Sequence, residues 1–315
     1  MYGFYGILFF SGFYTCKIRA LLSFKGDFYM LKIFTDTSAN LPIKTIRENN
    51  IGIVPFSYTI NGVEFTQNQD RDFDGKEYYD SMREGAKVST SMINSAVLTE
   101  TFRESLENGY DVLYIGMSGG ISGTANFAAL AAKELSEEFP KRRIAAIDTL
   151  AASLGEGLQV LTAVDMLKKG ADFDSIADRI TESRHNMCQY FTVGDLEYLK
   201  RGGRIGKIAT VIGSVLKIKP LLTGNEEGKI VLCGKARGKN KALTELAEKY
   251  SALANDKNLA VGIAHADAED DAAFLESELR NRGFKGECIT VQYEPVTGAH
   301  VGPGTVALFF YGIHK

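Results

Sequence analysis

The chain has 315 residues, 45% of them apolar and 24% charged, proportions of an ordinary globular protein that exclude collagen, low-complexity sequence and bulk disorder. A chain of this length suits two domains or one large one. Its net charge of −3, without a long basic run, argues against a nucleic-acid backbone as main partner. Cys16, Cys188, Cys233 and Cys288 lie far apart with no CxxC, so they read as isolated thiols in a reducing, cytoplasmic compartment. Four histidines (His185, His265, His300, His314) argue against a His-rich metal centre, and no metal site and no cofactor are expected.

The first 29 residues stand apart. Residues 2–14 (YGFYGILFFSGFY) are almost wholly apolar, and cations follow the run instead of preceding it, at Lys17 and Arg19. That order is the reverse of a signal peptide. The run also falls short of the ~20 apolar residues that span a bilayer. Residues 1–29 are therefore expected to be an appendage outside the fold, with a membrane-surface anchor as the sharper alternative. Met30 is a candidate functional start.

From Met30 the pattern alternates strand and helix. Residues 31–34 (LKIF) form a short strand ending in the turn or cap residues Thr35, Asp36, Thr37 and Ser38. A second strand is predicted over 51–58, and Asn61-Gly62 marks a hairpin before 63–65. Ser95 is a candidate cap for a helix with Leu98, Phe102 and Leu106 on one face, stopped at Gly109. Residues 112–115 (VLYI) suit a strand buried on both faces of a parallel sheet. A glycine loop follows, then an alanine-rich helix to Phe139, a strand over 144–147 and a helix over 154–169 closed by Gly170. This half is α/β with a mainly parallel sheet.

The second half continues with a strand at 191–193, a short helix at 195–201, an apolar run at 208–216 and an extended stretch at 220–222. A hairpin loop at 224–228 leads into 229–233, followed by a helix over 239–254. The ranges 259–264, 268–282, 289–293 and 305–311 give strand, helix, strand, strand. The boundary is placed at 187/188. The division is thus 1–29, then 30–187, then 188–315.

Chemistry concentrates in Gly116-Met117-Ser118-Gly119-Gly120-Ile121-Ser122-Gly123-Thr124, between an apolar strand and a helix. Glycines allow close approach of a ligand, the N–H groups opening the helix favour an anion, and Ser118, Ser122 and Thr124 add hydroxyls. In an open parallel sheet this is the ligand-binding end. A steric strand-to-helix turn is the plain alternative, as in an interaction protein without a ligand. Gly116-x-Ser118-x-Gly120 also matches a nucleophile elbow, which makes a serine esterase using Ser118 the rival activity. Two further glycines where the helix should start, and the lack of an HGGG-type loop, weigh against it. The hydroxyl cluster Val88-Ser89-Thr90-Ser91 precedes the Ser95 helix, with N-capping as its plain reading. Gly298-Ala299-His300-Val301-Gly302-Pro303-Gly304 predicts a histidine on a rigid loop, whereas His265 suits a packed core position. Basic segments at 200–204 and 235–239, flanked by glycines, suit a partner or an anion.

Taken together, these residues resemble the DegV family, whose fatty-acid-binding (FakB-type) members are subunits of bacterial fatty-acid kinase. TDTSANLP looks like its TDSTADLP, VSTSMIN like its TSQPS block and GGISGT like its SGLSGT. IDTLAASLGEGL, LEYLKRGGRIGK, IKPLL, GKIVLCGKARGKNKAL and GAHVGPG follow in the family's order, covering residue 31 to the end. Met92-Ile93-Asn94 stands where the family has Gln-Pro-Ser.

The resemblance implies a lipid-binding protein and not an enzyme. It implies two α/β domains with a lipid tunnel between them, holding a long-chain fatty acid. Thr90, Ser91 and Ser122 are the implied carboxylate ligands, with His300 near the head group and Arg237 facing the partner kinase. The kinase converts the bound carboxylate to an acyl phosphate for phospholipid synthesis; transient membrane-surface contact is a further implied partner. The chemistry agrees, since hydroxyls and backbone N–H groups suit a carboxylate and an acyl tail needs only apolar wall. Burying ~14 methylenes at about 0.8 kcal/mol each contributes roughly 11 kcal/mol before ordering costs.

Overall fold

A computed structural model describes residues 30–67, 71–206 and 218–313. The appendage expected at 1–29, the apolar run at 208–216, Cys16 and His314 lie outside the described residues. From Leu31 on, the described residues form one compact mixed α/β unit.

Three sheets make up this unit among the described residues. The first is all parallel, in the order β2 (Gly52–Val54), β1 (Met30–Asp36), β6 (Tyr110–Gly116) and β7 (Ile144–Asp148). A small antiparallel sheet joins β4 (Val63–Thr66), β3 (Ser57–Ile60) and β5 (Val88–Ser91). The third has six strands, ordered β10 (Ile230–Arg237), β9 (Ile218–Gly224), β8 (Met187–Thr192), β13 (Val306–Tyr311), β11 (Val261–His265) and β12 (Cys288–Gln292). Only β11 and β12 pair in parallel there.

Helix Leu154–Lys168 lies in the apolar core shared by the parallel and six-stranded sheets. Its first seven residues are all buried, as suits a helix with neighbours on every side. Two glycines permit this fit. A Cβ on Gly157 would stand 2.6 Å from the Ala39 carbonyl oxygen, and one on Gly155 3.0 Å from Phe309 of β13. The outer faces are covered separately. Helices Ser95–Glu107 and Thr124–Glu138 pack on the parallel sheet, and Lys239–Leu253 and Glu269–Asn281 on the six-stranded one.

Several predicted elements change in detail. The strand over 51–58 is two strands in two sheets, because Pro55 supplies no ladder donor and the chain turns there. Asn61 and Gly62 have φ of 50° and 86°, the signature of a type I′ hairpin, as expected. Asn94, not Ser95, caps the next helix, its side chain accepting the Val97 N–H at 3.0 Å. The Val88–Ser91 hydroxyl cluster is strand β5. Helix Phe173–Ser183, capped by Asp172, is an element the sequence reading lacks. His300 lies in the last turn of helix Pro295–Val301 and not on a loop, because Glu294 caps that helix and Pro295 opens it.

Candidate functional site

A narrow cavity runs between the parallel and six-stranded sheets. It holds about 880 Å³ of atom-free space counting its open mouth. Its walls are chiefly Phe56, Met117, Ile121, Phe191, Leu199, Ile230, Val296 and Phe309. The polar lining gathers in a few places. Thr90, Ser91, Ser122, Thr297, His300 and Arg204 all face it.

Each hydroxyl arrives on a different element. Register within the small sheet sets Thr90 opposite Tyr58 of β3. Ser122 ends the glycine loop after β6, where its hydroxyl donates to Thr124 Oγ1 at 3.1 Å. His300 Nε2 lies 2.9 Å from Thr90 Oγ1 across 210 positions of chain. Burial pushes the His300 imidazole down to about 4, with the Arg204 guanidinium adding to the effect. The ring is therefore neutral at neutral pH, with one N–H. When Nε2 carries that proton and donates to Thr90, the threonine's own proton is free for an incoming anion. His300 Nδ1 has no hydrogen-bond partner among the described residues.

The loop that forms one wall is held under backbone strain. Leu150 and Ser153 adopt φ of 56° and 53°, a region that costs non-glycine residues about 1–2 kcal/mol each. The Ser118 N–H donates to the Ala151 carbonyl at 2.8 Å and the Leu150 N–H to Asp148 Oδ1 at 2.8 Å, so surrounding bonds hold the conformation.

Beneath the glycine loop sits a buried acid cluster. Asp36 Oδ2 accepts from Tyr114 OH at 2.6 Å and from the Met117 N–H at 3.3 Å, tying β1 to the cavity wall. The Ser38 hydroxyl touches both Asp36 Oδ1 and Glu156 Oε2, the latter at 2.7 Å. One hydroxyl proton cannot serve two carboxylates, so one of the acids carries its own. Burial accordingly raises both, with the neighbouring hydrogen bonds opposing it.

The structure thus brings Thr90, Ser91, Ser122 and His300 to one cavity. Arg237 lies apart, exposed at the end of β10, where it pairs with Ile218. Ser118, the nucleophile of the esterase alternative, is wholly buried. Its hydroxyl donates to the Gly228 carbonyl and accepts the Gly120 N–H, both at 3.0 Å, so it fastens the loop. His265 is a packed residue whose Nδ1 accepts the Ala268 N–H at 3.2 Å.

Sequence reasoning missed Thr297, Gln189 and the Asp36–Glu156 pair. Thr297 lines the cavity, and its buried hydroxyl has no partner among the described residues. The available signal was its place three positions before His300, on the same helix face. Arg204 belongs to a basic segment that by sequence suits only a partner or an anion. It lines the cavity, and its guanidinium donates to the Ile121 carbonyl at 3.0 Å.

An apolar slot between two sheets, with a neutral histidine and several hydroxyls facing it, is chemically suited to an amphipathic chain. The family model described as "Uncharacterised protein, DegV family" matches residues 30–312. A DegV domain-containing protein of Clostridium perfringens is 37% identical over 285 residues, covering 90% of this chain and 98% of the relative. The chain belongs to the DegV family. A fatty-acid-binding DegV protein from Thermus thermophilus superposes with a TM-score of 0.81 at 30% identity, covering 90% of this chain and all of that one. Another, from Streptococcus agalactiae and described as fatty-acid-binding, gives a TM-score of 0.80 at 31% identity, covering 89% and 98%. No helix among the described residues is long and apolar enough to cross a membrane.

Proposed function

We propose that this chain binds a long-chain fatty acid and presents its carboxylate to a partner fatty-acid kinase. The observation that carries this reading is the narrow apolar cavity lined by Thr90, Ser122 and His300, with Thr90 and His300 in hydrogen-bond contact. The tail fills the slot, and its burial supplies most of the affinity. Thr90, Ser91 and Ser122 donate to the carboxylate, Thr297 adds a fourth hydroxyl, and neutral His300 orients Thr90. Residues 30–187 carry most of the head-group site and 188–315 complete the slot. Arg237, outside the slot, faces the kinase.

Titration of fatty acid against single variants tests the assignment. Thr90→Ala and Ser122→Ala each lose a charge-assisted hydrogen bond worth about 1.5–3 kcal/mol, so affinity should fall about ten- to a hundredfold. Arg237→Ala should keep wild-type affinity and lose acyl-phosphate formation with the cognate kinase. Loss of binding in Arg237→Ala, with binding kept in the other two, puts the carboxylate elsewhere. Organic extraction of the freshly purified protein followed by lipid mass spectrometry should recover fatty acid; recovery of none counts against the reading.

A further inference from the structure

We propose that Gln189 is the gate that sets acyl-chain length, closing the apolar slot against a small pocket behind it; this rests on the fatty-acid reading above. Side chains alternate along β8. Cys188 and Tyr190 face the core formed with the outer helices, which leaves Gln189 and Phe191 on the cavity side. Phe191 is what an apolar wall requires. Gln189 is a polar exception.

Its setting is tightly specified. The Gln189 amide donates through Nε2 to the Leu150 carbonyl at 2.7 Å, joining β8 to the strained wall loop. On one side Phe309 of β13 is its direct cross-strand partner and also lines the slot. On the other side stands Gly224 of β9, where a Cβ would come within 2.2 Å of Gln189 Nε2. Only glycine leaves room for this placement of the amide.

Behind the amide is a second, smaller pocket of about 220 Å³ of atom-free space counting its open mouth, lined by Leu150 and Met187 and by the polar Arg184, His185, Asn225 and Glu226. Gln189 is the single residue common to its lining and that of the acyl slot, and none of the head-group residues reaches it. A tail reaching Gln189 therefore meets a hydrogen-bonded amide, with a polar mouth beyond it. The side chain acts as a stop.

Two substitutions shift the stop in opposite directions. Gln189→Ala removes four heavy atoms and opens the slot toward the small pocket, room for about two further methylenes. Gly224→Ala adds a methyl at a residue that itself lines the slot, 2.2 Å from the amide nitrogen, and shortens the slot there. Affinities for saturated fatty acids from twelve to twenty-two carbons, measured for the full chain and both variants, test the gate. Gln189→Ala should move the preferred length up by at least about two carbons and tighten binding of the longest acids about tenfold. Gly224→Ala should move it down. Gln189→Leu, which keeps the volume and drops the hydrogen bond, should hold the wild-type length even if the alanine variant fails to fold. Folded Gln189→Ala and Gly224→Ala variants with an unchanged length profile overturn the gate alone. No binding by the unmodified chain at any length overturns the functional reading, and the gate with it.

Discussion

At the scale of single residues, the buried acids make stability depend on pH in a direction that can be worked out. Asp36 and Glu156 are raised by burial, and Glu294 is pushed up to about 7 by the same cause. A raised acid holds its proton in the folded chain at pH values where the unfolded chain has released it. Its contribution is therefore present below the usual carboxylate range and lost as pH rises through the folded value. His300 runs the other way. Depressed to about 4, it is neutral in the folded chain while the unfolded imidazole is charged, so stability falls as pH drops from 6.5 through 4. Glu156→Gln keeps a neutral group able to bond both Thr35 and Ser38, which contact the two carboxylate oxygens at 2.7 Å each. Denaturant melts from pH 5 to 9 should show the variant losing less stability on the alkaline side, by up to about 1.4 kcal/mol per pH unit. Identical slopes in the two proteins would mean that Glu156 is not the group holding the proton.

At the scale of elements, two adjacent glycines after helix Glu197–Arg201 have different reasons to be glycine. Gly202 sits at an ordinary φ of −72°, but a Cβ there would stand 2.1 Å from His300 Nδ1. Gly203 has φ of 71°, with open space to 4 Å around the point where a methyl would stand. Gly202→Ala should displace the imidazole from Thr90 and weaken fatty-acid binding about tenfold, near the worth of one charge-assisted bond. Gly203→Ala should cost about 1–2 kcal/mol of stability and leave binding intact. Equal affinities in both variants would remove His300 from the head-group site. The same elements show what is legible in the sequence. Strands 112–115 and 144–147 and the hairpin at Asn61-Gly62 follow from local pattern and turn chemistry, which depend on neighbours in sequence. The sheet that carries Thr90 does not, because Val88–Ser91 is mostly polar and becomes a strand only by pairing with β3. Two glycines and a proline after His300 suggest a loop, yet the Glu294 cap upstream decides that the segment is helical. The Asp36–Glu156 contact is not legible at all: its members are 120 positions apart and each suits a surface position by composition.

At the scale of the whole molecule, residues from 30 on account for the matched family model and for nearly the full length of the Clostridium relative. The chain beginning at Met30 should therefore keep its melting temperature within about 5 °C of the full chain, a margin of roughly 1–2 kcal/mol at this size, together with its lipid content. A larger fall, or loss of lipid, would show that residues 1–29 contribute to the fold or the slot. The contact between Thr90 and His300 also bears on time. Its partners come from a small antiparallel sheet and a helix 210 positions away, so closing it carries the entropy cost of a long loop. On the proposed function, a fatty-acid carboxylate engages both of these distant segments at once. Bound lipid should therefore act as a clasp that slows unfolding and lengthens the lifetime of the folded molecule, and equal unfolding rates with and without added fatty acid would count against it.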